Sequence, residues 1–144
     1  MTQVAFHFNA PDPVAYACRL LRKAVASGAK LVVIASPQAL EQLDRALWTF
    51  SPTDFVPHCF LNSECYVVAA SPVILSTTTM AVPHQQVLLN LGQLVPDGFD
   101  RFERVIEVVG LEDQDRQSAR SRWKQYADQG YAITRHDLAL RASN

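Results

Sequence analysis

Hydrophobic positions along the chain fall alternately into short continuous runs and helical stripes. Val4 to Phe8 is a short apolar run that predicts a first strand, ended by Asn9-Ala10-Pro11. Asp12 followed by Pro13 is a cap and a first-turn proline, and Gly28 marks the stop of the helix they open. Inside it Val14, Ala17, Leu21 and Val25 recur at helical spacing, while Arg19, Arg22 and Lys23 fall mostly off that stripe. Leu31 to Ala35 is rich in β-branched residues and predicts a buried parallel strand. Ser36-Pro37 repeats the cap-then-proline signal, and Leu40, Leu43 and Leu47 form the stripe of a second helix. The segment from Thr49 to Glu64 carries Pro52 and Pro57 and reads as irregular. Val73 to Leu75, Val87 to Leu91 and Val105 to Val109 read as a third, fourth and fifth strand. Asp113 opens a last helix that runs to about Gln129 and stops at Gly130. Strands alternating with helices in this way predict an α/β fold: a Rossmann-like open, mainly parallel sheet with helices on both faces.

The chain has 144 residues, which suits one domain spanning 1–144. Its hydrophobic share of 49% and charged share of 19% are those of a folded protein. A formal net charge of −1 gives no global pull toward nucleic acid or membrane, so any anion contact must come from a local patch. Met1-Thr2-Gln3-Val4 lacks a basic start and apolar run, and Val67 to Leu75 is too short for a membrane span and carries Pro72. Cys18, Cys59 and Cys65 are odd in number and irregularly spaced, which points to a reducing, cytoplasmic setting without a disulfide framework.

Candidate chemistry narrows the picture by what it lacks. Open parallel sheets bind ligands beyond the carboxyl ends of their strands, and the first such turn is Asn9-Ala10-Pro11-Asp12-Pro13. A phosphate turn needs glycines and free N–H groups. This one has no glycine, two prolines and an acid, so no nucleotide-binding loop and no cofactor is expected. Cys59 and Cys65 stand too far apart for the paired spacing of a structural zinc site, and read as small hydrophobes. His84 has no acidic neighbour to orient it as a base, and nothing beside Ser76-Thr77-Thr78-Thr79 suggests an activated hydroxyl. No catalytic or metal-binding residue is assigned.

Two segments read as binding surfaces. Trp48, Phe50 and Phe55 cluster in a proline-rounded connection that runs on to Val56-Pro57-His58. Aromatics there either fold back as a satellite core or form an anchor for a partner. In the last helix Arg116, Arg120, Trp123 and Lys124 fall near one side. From Arg116 to Lys124 there are four cationic residues, Arg122 included, and no acid, and Tyr126 and Tyr131 follow. A solvated charged face is the ordinary explanation. An indole among the cations also suits a ligand with both negative charge and an apolar or aromatic group, either an acidic peptide with an apolar end or single-stranded nucleic acid.

These segments together resemble the χ subunit family of bacterial DNA polymerase III, a clamp-loader accessory protein. Leu43-Asp44-Arg45-Ala46-Leu47-Trp48 and Phe55-Val56-Pro57-His58 resemble two family phrases. Ala119-Arg120-Ser121-Arg122-Trp123-Lys124-Gln125-Tyr126, followed by Gly130-Tyr131, resembles a third. The resemblance implies a non-catalytic subunit of the bacterial cytoplasm with a Rossmann-like fold, no nucleotide and no membrane contact. It implies pairing with the ψ subunit through Trp48, Phe55, Val56, Pro57 and His58. It also implies binding of the acidic C-terminal tail of single-stranded DNA-binding protein, which ends in an apolar dipeptide and a free carboxylate, through Val109, Arg116, Arg120, Trp123, Lys124 and Tyr131. DNA would be met through these partners. The alternatives are a module that binds single-stranded nucleic acid directly or, less favoured, a Rossmann-like enzyme. Two departures stand out. The stretch between His58 and Pro72 is short and lacks the family's glycine-rich character, and Trp123 stands where tyrosine is common.

Overall fold

The computed structural model describes residues 2–49, 56–62 and 70–139. In chain order these form β1 (Gln3–Ala10), α1 (Pro13–Ala26), β2 (Leu31–Ile34), α2 (Pro37–Thr49), β3 (His58–Phe60) and β4 (Val73–Ser76). There follow β5 (Val87–Asn90), a single 3-10 turn (Phe99–Arg101), β6 (Arg104–Gly110), α3 (Asp113–Asp128) and β7 (Ile133–Asp137). The seven strands make one sheet in the order β3-β4-β2-β5-β6-β1-β7, with every neighbouring pair parallel.

The local signals work as their chemistry requires. The Asp12 carboxylate accepts from the Ala15 N–H at 3.1 Å and Pro13 occupies the first turn of α1. Gly28 takes a φ of 90°, which lets the Gly28 and Ala29 N–H groups return to Val25 and Ala24. Ser36 Oγ accepts from the Ala39 N–H at 3.2 Å and so caps α2. Strand residues alternate between two cores. Leu31, Val33, Val73, Leu75, Val87 and Leu89 face α1 and α2, which bring Ala17, Cys18, Leu21, Leu40, Leu43 and Leu47. Val4, Phe6, Val32, Ile74, Leu88 and Val105 face the opposite way, toward α3, Phe99 and Phe102. Burial on both faces is why these strands read as unbroken apolar runs.

Two strands depart from the sequence reading. His58–Phe60 lies inside the segment read as irregular, yet it pairs with β4 at the sheet edge. Three residues behind Pro57 are too short to show a period, and only the pairing makes them a strand. Ile133–Asp137 was assigned no structure, and it forms the other edge against β1. Its side chains are half-buried or exposed, so no apolar alternation marks it. The strands expected as third to fifth are therefore fourth to sixth.

One topological fact positions the functional site. β1 and β6 are neighbours, but α1 leaves β1 toward one face and α3 leaves β6 toward the other. Connections diverging from adjacent parallel strands open a crevice at their carboxyl ends.

Candidate functional site

That crevice holds a groove of about 630 Å³. Its floor and one wall are Phe6, Phe8, Val109, Gly110, Ala119 and Trp123, and its cations are Arg116, Arg120 and Arg135. Phe6 and Phe8 reach it because alternate residues of β1 share a face. Trp123 packs against Phe6 with ring centroids 5.1 Å apart. The Arg135 guanidinium sits 5.5 Å from the Phe8 ring centre and 5.8 Å from that of Trp123, a distance at which cation and ring attract. Among the described residues no carboxylate pairs with Arg116, Arg120 or Arg135. The groove thus offers three guanidinium groups that make no salt bridge among the described residues, beside an apolar, aromatic floor.

Of the six residues expected on this surface, Val109, Arg116, Arg120 and Trp123 line the groove. Lys124 is exposed one helical turn beyond Arg120 and outside the lining. Tyr131 also lies outside it, packed edge-on against Phe99 at 5.1 Å. Arg135, Phe6, Phe8 and Asn9 escaped the sequence reading. Arg135 escaped because its strand did; Phe6 and Phe8 carried a signal, their shared parity on β1.

Arg122 has a different fate from its neighbours in the cationic run. It is 2% exposed, and its Nε donates to Glu107 Oε1 at 3.0 Å. Glu107, on β6, is fully buried. It also accepts from Tyr126 Oη at 2.6 Å and from Asn90 Nδ2 at 2.9 and 3.1 Å. Burial pushes the Glu107 carboxyl above its usual range, while Arg122, Tyr126 and Asn90 pull it back. Burial, then the neighbouring carboxylate, pushes the Tyr126 phenol upward, so it stays a donor. Arg122 Nη1 further bonds Gln93 O at 3.2 Å and the Ser118 hydroxyl. Only Ala119, Arg122 and Tyr126 of α3 are buried, so this clamp seats the helix that carries Arg116, Arg120 and Trp123.

The second expected surface lies at the end of α2. Trp48 is 63% exposed, and its ring meets the His58 ring edge-on at 5.8 Å. His58 is held by Asp44 at 2.8 Å and the Val56 carbonyl at 2.7 Å. Val56 is buried and Pro57 exposed. Phe50 and Phe55 lie outside the described residues.

Of the other candidate groups, Cys18 and Cys59 belong to the cores on opposite faces of the sheet. Cys18 and Cys59 are buried, burial pushes the Cys18 thiol up to about 11, and Cys65 lies outside the described residues. His7 and His136 meet across β1 and β7 with ring centroids 4.5 Å apart, and Tyr16 bonds His7. Among the described residues no group of three or more His, Cys, Asp or Glu side chains could hold a metal ion, and no helix is long and apolar enough to cross a membrane.

Fold and groove define an α/β module of the Rossmann-like class, with an anion-attracting, aromatic-walled crevice where related sheets hold a cofactor. The family model described as DNA polymerase III chi subunit, HolC, matches residues 1–134. A DNA polymerase III subunit chi of Pseudomonas aeruginosa is 34% identical over 143 residues, covering 96% of this chain and 98% of that protein. One of Haemophilus influenzae is 31% identical over 124 residues, covering 85% of each. The chain belongs to the DNA polymerase III chi subunit family.

Proposed function

We propose that this chain is a non-catalytic adaptor of the replicative polymerase in the bacterial cytoplasm. It joins the ψ subunit of the clamp loader to the acidic C-terminal tail of single-stranded DNA-binding protein. The observation that carries the reading is the groove, with three guanidinium groups that no carboxylate pairs among the described residues, around an apolar, aromatic floor. A tail that ends in an apolar side chain and a free carboxylate matches both features. Arg120 and Lys124, with Arg116 nearby, attract the acidic residues and hold the terminal carboxylate by charge-assisted hydrogen bonds. Val109 and the aromatic rings receive the last apolar side chain. Trp48 and Pro57, with buried Val56 and the buried His58 ring supporting them and Phe55 beside them in sequence, are the residues proposed to meet ψ, because a large exposed indole at a helix end suits an interface anchor.

A short disordered tail loses freedom on binding, so affinity in the range of about micromolar is expected, weakening as salt rises. Calorimetry with a synthetic acidic peptide ending in an apolar residue tests the site. Arg120→Ala and Trp123→Ala should each weaken binding about tenfold, the cost of losing one anchor. Unchanged affinity in both variants rejects the groove as the tail site.

A further inference from the structure

Asn9 sits at the mouth of the groove in a backbone geometry that most residues avoid. Its φ is 64°, in the left-handed region that Asn tolerates better than other side chains. The β1–β6 register shifts there. His7 faces Val108 and Ala10 faces Gly110, so Phe8 and Asn9 together stand opposite one residue. Such a bulge re-aims a side chain. Here Asn9 Oδ1 accepts from Arg116 Nη2 at 3.3 Å, and Asn9 Nδ2 donates to Asp137 Oδ1 at 2.9 Å. A guanidinium only donates and a carboxylate only accepts, so the chemistry of the neighbours sets which way the amide faces.

We propose that Asn9 is a positioning residue that aims the Arg116 guanidinium into the groove and, as a neutral spacer, keeps Asp137 from neutralising it. The inference rests on the groove being the anion site. A direct ion pair between Arg116 and an acid would set the same side chain just as well, but would cancel the charge an acidic ligand must meet. An amide holds the guanidinium at no cost in charge. Asn9 is therefore a specificity element for anionic ligands, and the bulge at positions 8 and 9 is what delivers it.

Two substitutions keep the backbone, because Gly and Asp both accept a positive φ. Asn9→Gly removes the hold on Arg116; Asn9→Asp turns the hold into a salt bridge. Binding of the acidic, free-carboxylate peptide should weaken about threefold in Asn9→Gly, which keeps the wild-type Tm within a few degrees, and about tenfold in Asn9→Asp, whose Tm should fall further because its new carboxylate meets the like charge of Asp137. In an Arg116→Gln background the Asn9→Asp loss should shrink to less than about threefold, since the two residues act as one unit. A loss that persists in full in that background, or an Asn9→Asp variant that binds as well as wild type, overturns the proposal. Nitrogen relaxation of the Arg116 Nε–H group reads the hold without any ligand: ordered in wild type, mobile in Asn9→Gly. If wild type fails to bind the peptide, the groove reading falls while the relaxation result still decides whether Asn9 restrains Arg116. An Arg116 side chain equally ordered in Asn9→Gly also overturns the proposal.

Discussion

Glu107 shows how a single residue seats the helix that lines the groove. An isolated carboxylate in a fully buried position is strongly unfavourable, and this one is answered by Arg122, Tyr126 and Asn90. Arg122→Met should therefore destabilise the fold by about 3–5 kcal/mol, because it leaves a buried charge without its partner. The same change at exposed Arg116 should stay within about 0.5 kcal/mol. Chemical denaturation of both variants checks this, and equal losses would mean that burial is not what distinguishes the two arginines. The pH dependence has a definite sign. Burial raises the folded-state pKa of Glu107, so the folded protein holds that proton more tightly than the unfolded chain does. The stability this contributes is complete below the ordinary carboxylate range and is lost as pH rises through the raised value. Wild type should accordingly lose stability relative to Glu107→Gln as pH climbs through that window, and a flat or opposite trend excludes it. Both partners left traces in the sequence. Ala119, Arg122 and Tyr126 share the i, i+3, i+7 stripe of a buried helix face, and Glu107 interrupts the apolar run from Val105 to Val109. Counting Arg122 among the surface cations missed both.

At the scale of elements, Gly110 leaves room at the end of β6 for the Asp115 carboxylate of α3 and the Pro13 ring of α1. A methyl group placed there would lie 2.6 Å from Asp115 Oδ2 and 3.3 Å from Pro13 Cγ. Gly110→Ala should therefore make the Asp115 carboxylate swing aside and press on the Pro13 ring, at a cost of about 1 kcal/mol or less, and trimming that carboxylate with Asp115→Ser should recover part of the loss. Thermal unfolding of the single and double variants decides it: a double variant no more stable than Gly110→Ala alone clears Asp115 of the conflict. The helices and the five interior strands were legible because caps, prolines and apolar runs all pointed one way. The two edge strands were not. His58–Phe60 is too short to carry a pattern, and Ile133–Asp137 buries too little to need one. That omission reached the groove, since Arg135 comes from the unread edge. The four residues of the groove that were anticipated, Val109, Arg116, Arg120 and Trp123, come from β6 and α3, elements whose boundaries the sequence marks clearly.

At the scale of the whole molecule, the two proposed surfaces lie toward opposite edges of the sheet. The groove opens at the carboxyl ends of β1 and β6, on the face covered by α3 and beside the β7 edge. Trp48 and His58 lie at the amino end of β3, at the opposite edge, with α2 on the opposite face. Five strand spacings separate β3 from β1, about 24 Å at roughly 4.8 Å each. The sheet between them is packed on both faces, and a close-packed core resists gradual deformation. Coupling between sites requires an element with two states that both ligands bias. If the chain joins ψ to the tail as proposed, it should act as a rigid spacer. Its affinity for the tail peptide should be the same within about twofold whether or not ψ is bound, and Trp48→Ala should abolish pairing with ψ while leaving tail affinity and Tm unchanged. Calorimetric titration of the peptide into the free chain, the ψ complex and the Trp48→Ala variant measures all three. A tail affinity that shifts more than about fivefold on ψ binding would show that the sheet transmits a change, and the rigid-spacer account would have to be abandoned.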